Sequence, residues 1–298
     1  MRRVWLFSII IGTAAAAVGS TRSPGPELLR AQELYRRAEY RRAIDMLQAS
    51  ETRDAGGHAL LGKALFQEGR HKEAVAALKR AVAEAPLESD YYDWLGKAYG
   101  RIAETSSFVS ALGWAKKTVR AFERAVELER SNLEALSDVF EYYLQAPGIA
   151  GGGIEKAERI ARQIGALNPA EGHWAQARLA EKRKDFTAAE REYRAAVDAA
   201  PKEVGRALDL AAFLAAHGRY ADSEAVFRTA EAEHPDSPKV LYARAASYVQ
   251  SKRHLGEAAA LLERYLGMQT TPDDPTRREA FALLESARAA RPKSRQAE

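Results

Sequence analysis

From Leu28 to about residue 267, apolar residues recur at i, i+3, i+4 and i+7, interrupted by a turn every dozen residues or so. This is the period of helices that each present one apolar face. No stretch shows the sustained alternation rich in Val, Ile and Thr that would announce a strand. The pattern predicts a nearly all-helical chain, and it repeats. Leu61-Gly62-Lys63-Ala64-Leu65 returns 34 residues later as Leu95-Gly96-Lys97-Ala98-Tyr99. The first copy is followed by Ala74, Leu78, Ala81 and Pro86, the second by Thr118, Phe122 and Ala125, and Pro201 to Pro235 again spans 34 residues. A period of this length built from two helices implies a solenoid, in which each unit buries its apolar face against its neighbours.

The repeat carries its own packing argument. Glycine inside a helix costs about 1 kcal/mol relative to alanine. Gly62 and Gly96 are therefore expected where two helices approach too closely for a Cβ. Ala74, Ala81, Ala125, Ala189 and Ala196 have the same expected role on the second helix of each pair. Leu78, Phe122, Tyr193 and Phe227 are expected to fill the space between pairs.

Outside the repeats the pattern changes. Arg2-Arg3, the apolar run Val4–Ile11 extended to Val18, and the small residues Ala15–Ser20 have the layout of a secretory signal, with cleavage after Ala17 or Gly19. The alternative is a retained anchor over residues 4–19, slightly short of the roughly 20 residues that span a bilayer. The expected division is a signal or anchor at 1–19, a linker at 20–27, a solenoid of about seven helix pairs at 28–267, a turn and capping helix at 268–290, and a disordered tail at 291–298. In the capping helix Phe281, Leu284 and Ala287 are expected to face the stack. Two stretches exceed the repeat length, residues 101–116 around Thr105-Ser106-Ser107 and residues 145–153 around Gly151-Gly152-Gly153. Insertions of this kind usually lie on one rim, as tolerated surface or as functional loops.

The repeat resembles the tetratricopeptide repeat, whose signature runs W-x2-L-G-x2-Y, then A-x3-F, then proline. With Leu61 as its leucine the chain supplies Gly62, Leu65, Ala74, Leu78, Ala81 and Pro86. With Leu95 it supplies Gly96, Tyr99, Thr118, Phe122 and Ala125, with Arg130 where proline is usual. Further units give Leu34, Tyr40, Ala43 and Leu47, then Tyr143, Ala157, Ala161 and Pro169, then Ala180, Phe186, Ala189 and Tyr193, then Leu214, Gly218, Tyr220 and Phe227, and finally Tyr248, Ala258 and Leu262. The resemblance implies an all-α fold, a right-handed α-solenoid superhelix of stacked helix–turn–helix repeats, with a concave groove that binds a protein or peptide. The family's groove positions fall on Lys63, Phe66, Asp93, Lys97, Arg101, Trp174, Arg178, Lys182 and Tyr242, with Glu141 and Gln145 in the unit between. Trp94 joins them through the cluster Tyr91-Tyr92-Trp94, which reads either as a binding hot spot or as repeat core, because Tyr92 holds the family's usual Trp position. The basic middle of this groove suits a partner carrying carboxylates. The carboxylate clamp of chaperone-binding members needs asparagines beside its lysines; they are missing here, so that partner is not implied.

Composition narrows the chemistry. The 298 residues are 46% hydrophobic and 29% charged, which supports a stable core. A net charge of +4 with interleaved signs is a solvated surface rather than a nucleic-acid footprint. The absence of cysteine excludes disulfides, thiolate metal sites, thiol nucleophiles and a lipid-modified N-terminal cysteine. None of the six histidines forms a metal pair at i, i+4, and His71 and His217 are expected to cap helix C-termini. Gly151-Gly152-Gly153 lacks the strand and the Gly-Lys-Ser/Thr of a phosphate loop, and no nucleophile elbow occurs. The expectation is a non-enzymatic scaffold without metal or cofactor, exported to the periplasm or secreted, or else anchored in the inner membrane by residues 4–19 as a subunit of an envelope assembly or secretion complex. A glycan-binding protein or enzyme using the Tyr/Trp patch is the reading from another class. The register itself is testable by Ala81→Arg, expected to lower stability by at least the roughly 1–3 kcal/mol of an overpacked core; an unchanged melting curve would refute it.

Overall fold

A computed structural model describes residues 25–50 and 54–290; the signal-like segment, the first linker residues and the C-terminal tail lie outside the described residues. Every regular element among them is helical. By contact the chain forms two units. The first holds α1 (Pro26–Arg36), α2 (Tyr40–Ala49), α3 (Ala55–Gln67), α4 (His71–Glu84), α5 (Ser89–Thr105), α6 (Phe108–Leu128), α7 (Leu133–Gln145), a 3-10 turn (Gly148–Ala150) and α8 (Ile154–Leu167), together with the short segment Thr271–Asp273. The second holds α9 (Pro169–Lys182), α10 (Phe186–Ala199), α11 (Val204–Ala216), α12 (Tyr220–Glu233), α13 (Pro238–Ser251), α14 (Leu255–Gly267) and α15 (Arg277–Ala290). Each odd-numbered helix up to α13 packs against the even-numbered helix that follows it, and α15 packs on α14 and α13. The architecture is an all-α solenoid of helix–turn–helix pairs.

Local chemistry sets the helix starts. Asp54, Asn132, Asn168 and Asp185 accept backbone N–H bonds at the heads of α3, α7, α9 and α10, satisfying donors that have no intrahelical partner. Thr276 and Glu279 close a capping box at α15: Glu279 N–H donates to Thr276 Oγ1 at 3.2 Å, and Thr276 N–H donates to Glu279 Oε2 at 2.9 Å. Except at Ser106–Ser107 between α5 and α6, the turn inside a pair passes through a left-handed residue. Gly69 and Gly218 hold it with φ 77°, while Ala38, Lys184 and Lys252 hold the corresponding place with φ 54–63°.

The two repeat glycines are close-approach points. A Cβ on Gly62 would lie 2.5 Å from Leu78 Cγ, and one on Gly96 would lie 2.5 Å from Phe122 Cδ1. Ala74, Ala81, Ala125, Ala189 and Ala196 are fully buried, and Leu78, Phe122, Tyr193 and Phe227 are core side chains. The small residues of one helix thus receive the large residues of its partner.

Two expectations are corrected. Phe281 does not face the stack but is 55% exposed. The buried stripe of α15 is Ala280, Leu284 and Ala287, and Phe281 stands one residue, about 100° of helix, away from it. His71 opens α4 rather than capping a C-terminus, and its ring packs on Phe66 at 5.3 Å. His217 does stand at the C-terminus of α11, its Nδ1 2.8 Å from Phe213 O. The two insertions are also resolved. The first lengthens α5 and α6 around the turn at Ser106–Ser107. In the second, Gly151 takes φ 95°, and a Cβ on Gly152 would lie 1.8 Å from Ala146 O, so both glycines serve a tight backbone path.

Gly96→Val should destabilise the chain by several kcal/mol, since overpacking costs about 1–3 kcal/mol and a β-branched residue cannot turn aside from the Phe122 ring. The same substitution in a Phe122→Ala background should cost clearly less, a coupling that a double-mutant cycle of denaturation midpoints would measure.

Candidate binding face

The residues expected to line a groove lie on the first helices of the pairs. In the first unit α3, α5 and α7 bring several of the expected residues together. Phe66 meets Trp94 edge-on at 5.5 Å. Lys63 Nζ lies 5.3 Å and Lys97 Nζ 4.6 Å from the Trp94 ring centre, both within cation–π range. Lys63 also pairs with Asp90 at 2.7 Å, and Arg101 with Glu104 at 2.8 Å.

Lys97 is the centre of this face. Its ammonium contacts Asp93 at 2.9 Å, Asp138 at 3.1 Å, and Glu134 by a short hydrogen bond. Asp93 and Lys97 are one helical turn apart on α5, as are Glu134 and Asp138 on α7, so two i, i+4 pairs face each other across the helices. The Asp93 side chain is 2% exposed and those of Lys97 and Asp138 17% each, so the cluster is largely removed from water. Burial pushes the Asp93 carboxyl well above the ordinary Asp value; Asp138 and Glu134 add to this, and Lys97 works against it. Burial raises Asp138 as well. For Lys97 burial acts downward, but the three carboxylates outweigh it and hold the ammonium well above the ordinary lysine value. Asp93, Glu134 and Asp138 offer oxygens within 4.8 Å of one another, a spacing that could hold a metal ion, yet the Lys97 ammonium already stands at that centre.

These contacts correct the expected charge of the face. Lys97 is not a free cation for a carboxylate-bearing partner; it is outnumbered by carboxylates within its own fold. Asp93 is core rather than lining. Glu134 and Asp138 were not among the expected residues. Their sequence signal was E-x-x-x-D on α7, one repeat beyond D-x-x-x-K on α5. Gln67, also buried, donates to Pro272 O at 3.3 Å within this unit.

In the second unit the expected residues do not gather into one site. Trp174 is 1% exposed and belongs to the core, stacked under the buried Arg206 guanidinium at 5.2 Å. Arg206 is held by Asp209 at 3.0 Å and Glu171 at 3.5 Å, and burial raises the Glu171 carboxyl. Arg178 pairs with Glu181 at 3.0 Å, Lys182 is exposed, and Tyr242 packs on Tyr265 at 5.6 Å with its hydroxyl pushed up to about 12 by burial. No helix of the described residues is long and apolar enough to cross a membrane.

Two family models, both described as tetratricopeptide repeat, match the chain, one over residues 28–89 in the first unit and the other over residues 180–247 in the second. Among solved structures the chain is similar to a tetratricopeptide repeat protein from Parabacteroides merdae, at 14% identity and TM-score 0.56 over 88% of this chain and 97% of that one. It is similar to a thermophilic protein of the same family from Thermus thermophilus, at 21% identity and TM-score 0.51 over 66% and 96%. It is also similar to human IFIT1, solved as a dimer with PPP-AAAA, at 17% identity and TM-score 0.52 over 81% and 54%. A comparison with the curated proteins finds no match. Paired helices in a solenoid, glycine-against-large packing and the two family-model matches together identify residues 28–89 and 180–247 as tetratricopeptide repeats. Such repeats generally mediate binding to protein partners, and the family is typically non-enzymatic.

Lys97→Met would strand three carboxylates around an apolar side chain and should cost about 3–5 kcal/mol, the usual penalty for breaking a buried ion cluster from one side. Asp93→Asn, which keeps shape and removes one of the excess charges, should cost far less at neutral pH. Raised folded-state values for Asp93 and Asp138 mean that the folded chain binds protons more tightly than the unfolded chain. Their contribution to stability therefore rises as pH falls from the raised folded value towards the ordinary 3.8. The raised Lys97 contributes fully below 10.5 and is lost only as pH climbs through its folded value, so it is constant across that acid window. Urea denaturation at neutral and mildly acidic pH should show Lys97→Met regaining more stability on acidification than the parent chain.

Proposed function

We propose that this chain is an exported scaffold of the bacterial cell envelope that holds an extended segment of another protein against α3, α5 and α7 of its first unit. The observation that carries the reading is the Lys97 cluster: one ammonium among three carboxylates, beside the half-buried Trp94 ring. A face with that balance offers Glu134 and an aromatic platform. It favours a segment that brings lysine, arginine or backbone N–H groups together with an apolar side chain, rather than the acidic partner that the lysines alone suggest. Trp94, partly open beside that centre, is of a residue type enriched in binding hot spots. Export rests on the N-terminal Arg2–Ser20 pattern. Retention of residues 4–19 would make the same scaffold a membrane-anchored subunit of an envelope assembly, and the intact mass of the chain recovered from its host decides between the two.

A photo-crosslinking residue placed at Phe66 or Glu134 should capture the same protein in the native host, while one at the exposed Lys79 of α4 should not. A peptide from the captured segment should bind more weakly as salt rises and lose about tenfold in affinity when Trp94 becomes Ala, a 1.4 kcal/mol change. Capture only at Lys79, or a preference for acidic peptides, would overturn the proposal.

A further inference from the structure

The α5–α6 hairpin departs from every other pair in a directed way. The two helices have 17 and 21 residues, whereas α3 and α4 have 13 and 14. Leu78 is residue 8 of α4, but Phe122, which plays the same packing role against the repeat glycine, is residue 15 of α6 (122 − 108 + 1). The additional length of α6 therefore lies at its N-terminal end, two turns ahead of the packed repeat. Those turns carry Phe108 and Val109 at 82% and 83% exposure, followed by half-buried Leu112 and Trp114 and exposed Lys116, Lys117 and Arg120. From Ser106 to Arg120 there is no acidic residue. Lys117 lies over the Trp114 ring at 4.2 Å, and Trp114 packs on Tyr99 at 5.6 Å, so the basic and aromatic groups are held together. Glu104, at the end of α5, is already paired with Arg101.

The second insertion joins the first. Tyr142 Oη lies 2.8 Å from Ala115 O on α6 and 2.5 Å from Ala150 O, so one hydroxyl, with its single proton to donate, stands between the 145–153 loop and the extended helix. Val119 sits 3.6 Å from where a Cβ on Gly151 would be. The loop thereby presents Ile149, 68% exposed, from a support fixed to α6. Both insertions build one element that exposes apolar groups and whose charged groups from Ser106 to Arg120 are all basic.

We propose that this element docks on an anionic lipid surface, with Phe108, Val109 and Ile149 entering the bilayer interface and Lys116, Lys117 and Arg120 lying over the headgroups. Exposed apolar side chains backed by Lys and Arg, with an aromatic between them, are the pattern of interfacial helices. Protein interfaces are depleted in lysine at their centres, which argues against a protein occupant. A single weak membrane signal gives only marginal attachment, and the apolar segment Val4–Gly19 supplies a second at the other end of the linker whenever it is retained. The proposal uses none of the groove residues, so it stands or falls apart from the binding reading.

Because the chain has no cysteine, Val109→Cys in the full chain takes an environment-sensitive fluorophore at one place. With phosphatidylglycerol-containing vesicles its emission should shift to the blue and be quenched by brominated acyl chains. With pure phosphatidylcholine vesicles it should stay solvent-like. Lys116→Glu combined with Lys117→Glu should weaken the vesicle titration by roughly tenfold or more, with an unchanged helical melting curve. A label at the exposed Lys202→Cys should remain solvent-like throughout. The proposal is overturned if the Val109 label stays solvent-like on anionic vesicles, if it responds equally to neutral ones, if the Lys202 label shifts with it, or if the shift appears without lipid and grows with protein concentration, which would mark a second copy as the occupant.

Discussion

Leu78 against Gly62 and Phe122 against Gly96 fix how closely the helices of a pair can lie. Each glycine weakens its own helix by about 1 kcal/mol, and the cost is offset because the missing Cβ lets a large side chain from the partner helix close the gap. A fully buried Leu or Phe contributes roughly 1.5–3 kcal/mol through burial alone, so the exchange favours the packed pair. The geometry of each pair in turn sets where its first helix points. The positions of Lys63, Trp94 and Lys97 are consequences of that contact.

The charged centre on α5 and α7 follows the same logic one level higher. Asp93 and Lys97 share a face because they are four residues apart, and the same holds for Glu134 and Asp138. Stacking one pair on the next places these two faces against each other, and water is largely excluded between them. Burial works against every charge in the cluster, yet the ammonium and carboxylates together keep it viable, with Asp93 and Asp138 drawn towards holding a proton. A chain that places such a centre between two of its first helices gives up some stability for a fixed arrangement of charge beside an aromatic ring.

The two insertions show how a solenoid acquires a feature without disturbing its core. Adding two turns to the head of α6 leaves Phe122 on Gly96 and Ala125 in the core, so the register downstream is intact. The second insertion closes over the first through Tyr142, and Gly152 lets its backbone pass close to Ala146. The length of these segments, the polar turn at Thr105–Ser107 and the lack of acids after it were legible in the sequence. That the two segments form one element was not, since it depends on a tyrosine hydroxyl reaching across two helices.

What the sequence determined by itself is whatever depends on period. The helical repeat, the pairing of helices, the roles of Gly62 and Gly96, and the small and large core positions are all consequences of spacing along one chain, and spacing is visible in the letters. Phe281 marks the edge of that reasoning: it sits one position off the buried stripe of α15, and periodicity defines a stripe only to within about a residue. Tertiary structure alone decided which charges neutralise which. Lys97 reads as a groove cation when α5 is taken by itself, and only the approach of α7, 37 residues later, supplies Glu134 and Asp138 to surround it. Trp174 likewise reads as an open aromatic until Arg206 from the next pair covers it. Coulomb energy and burial depend on distances between helices, and a one-dimensional pattern does not contain those distances.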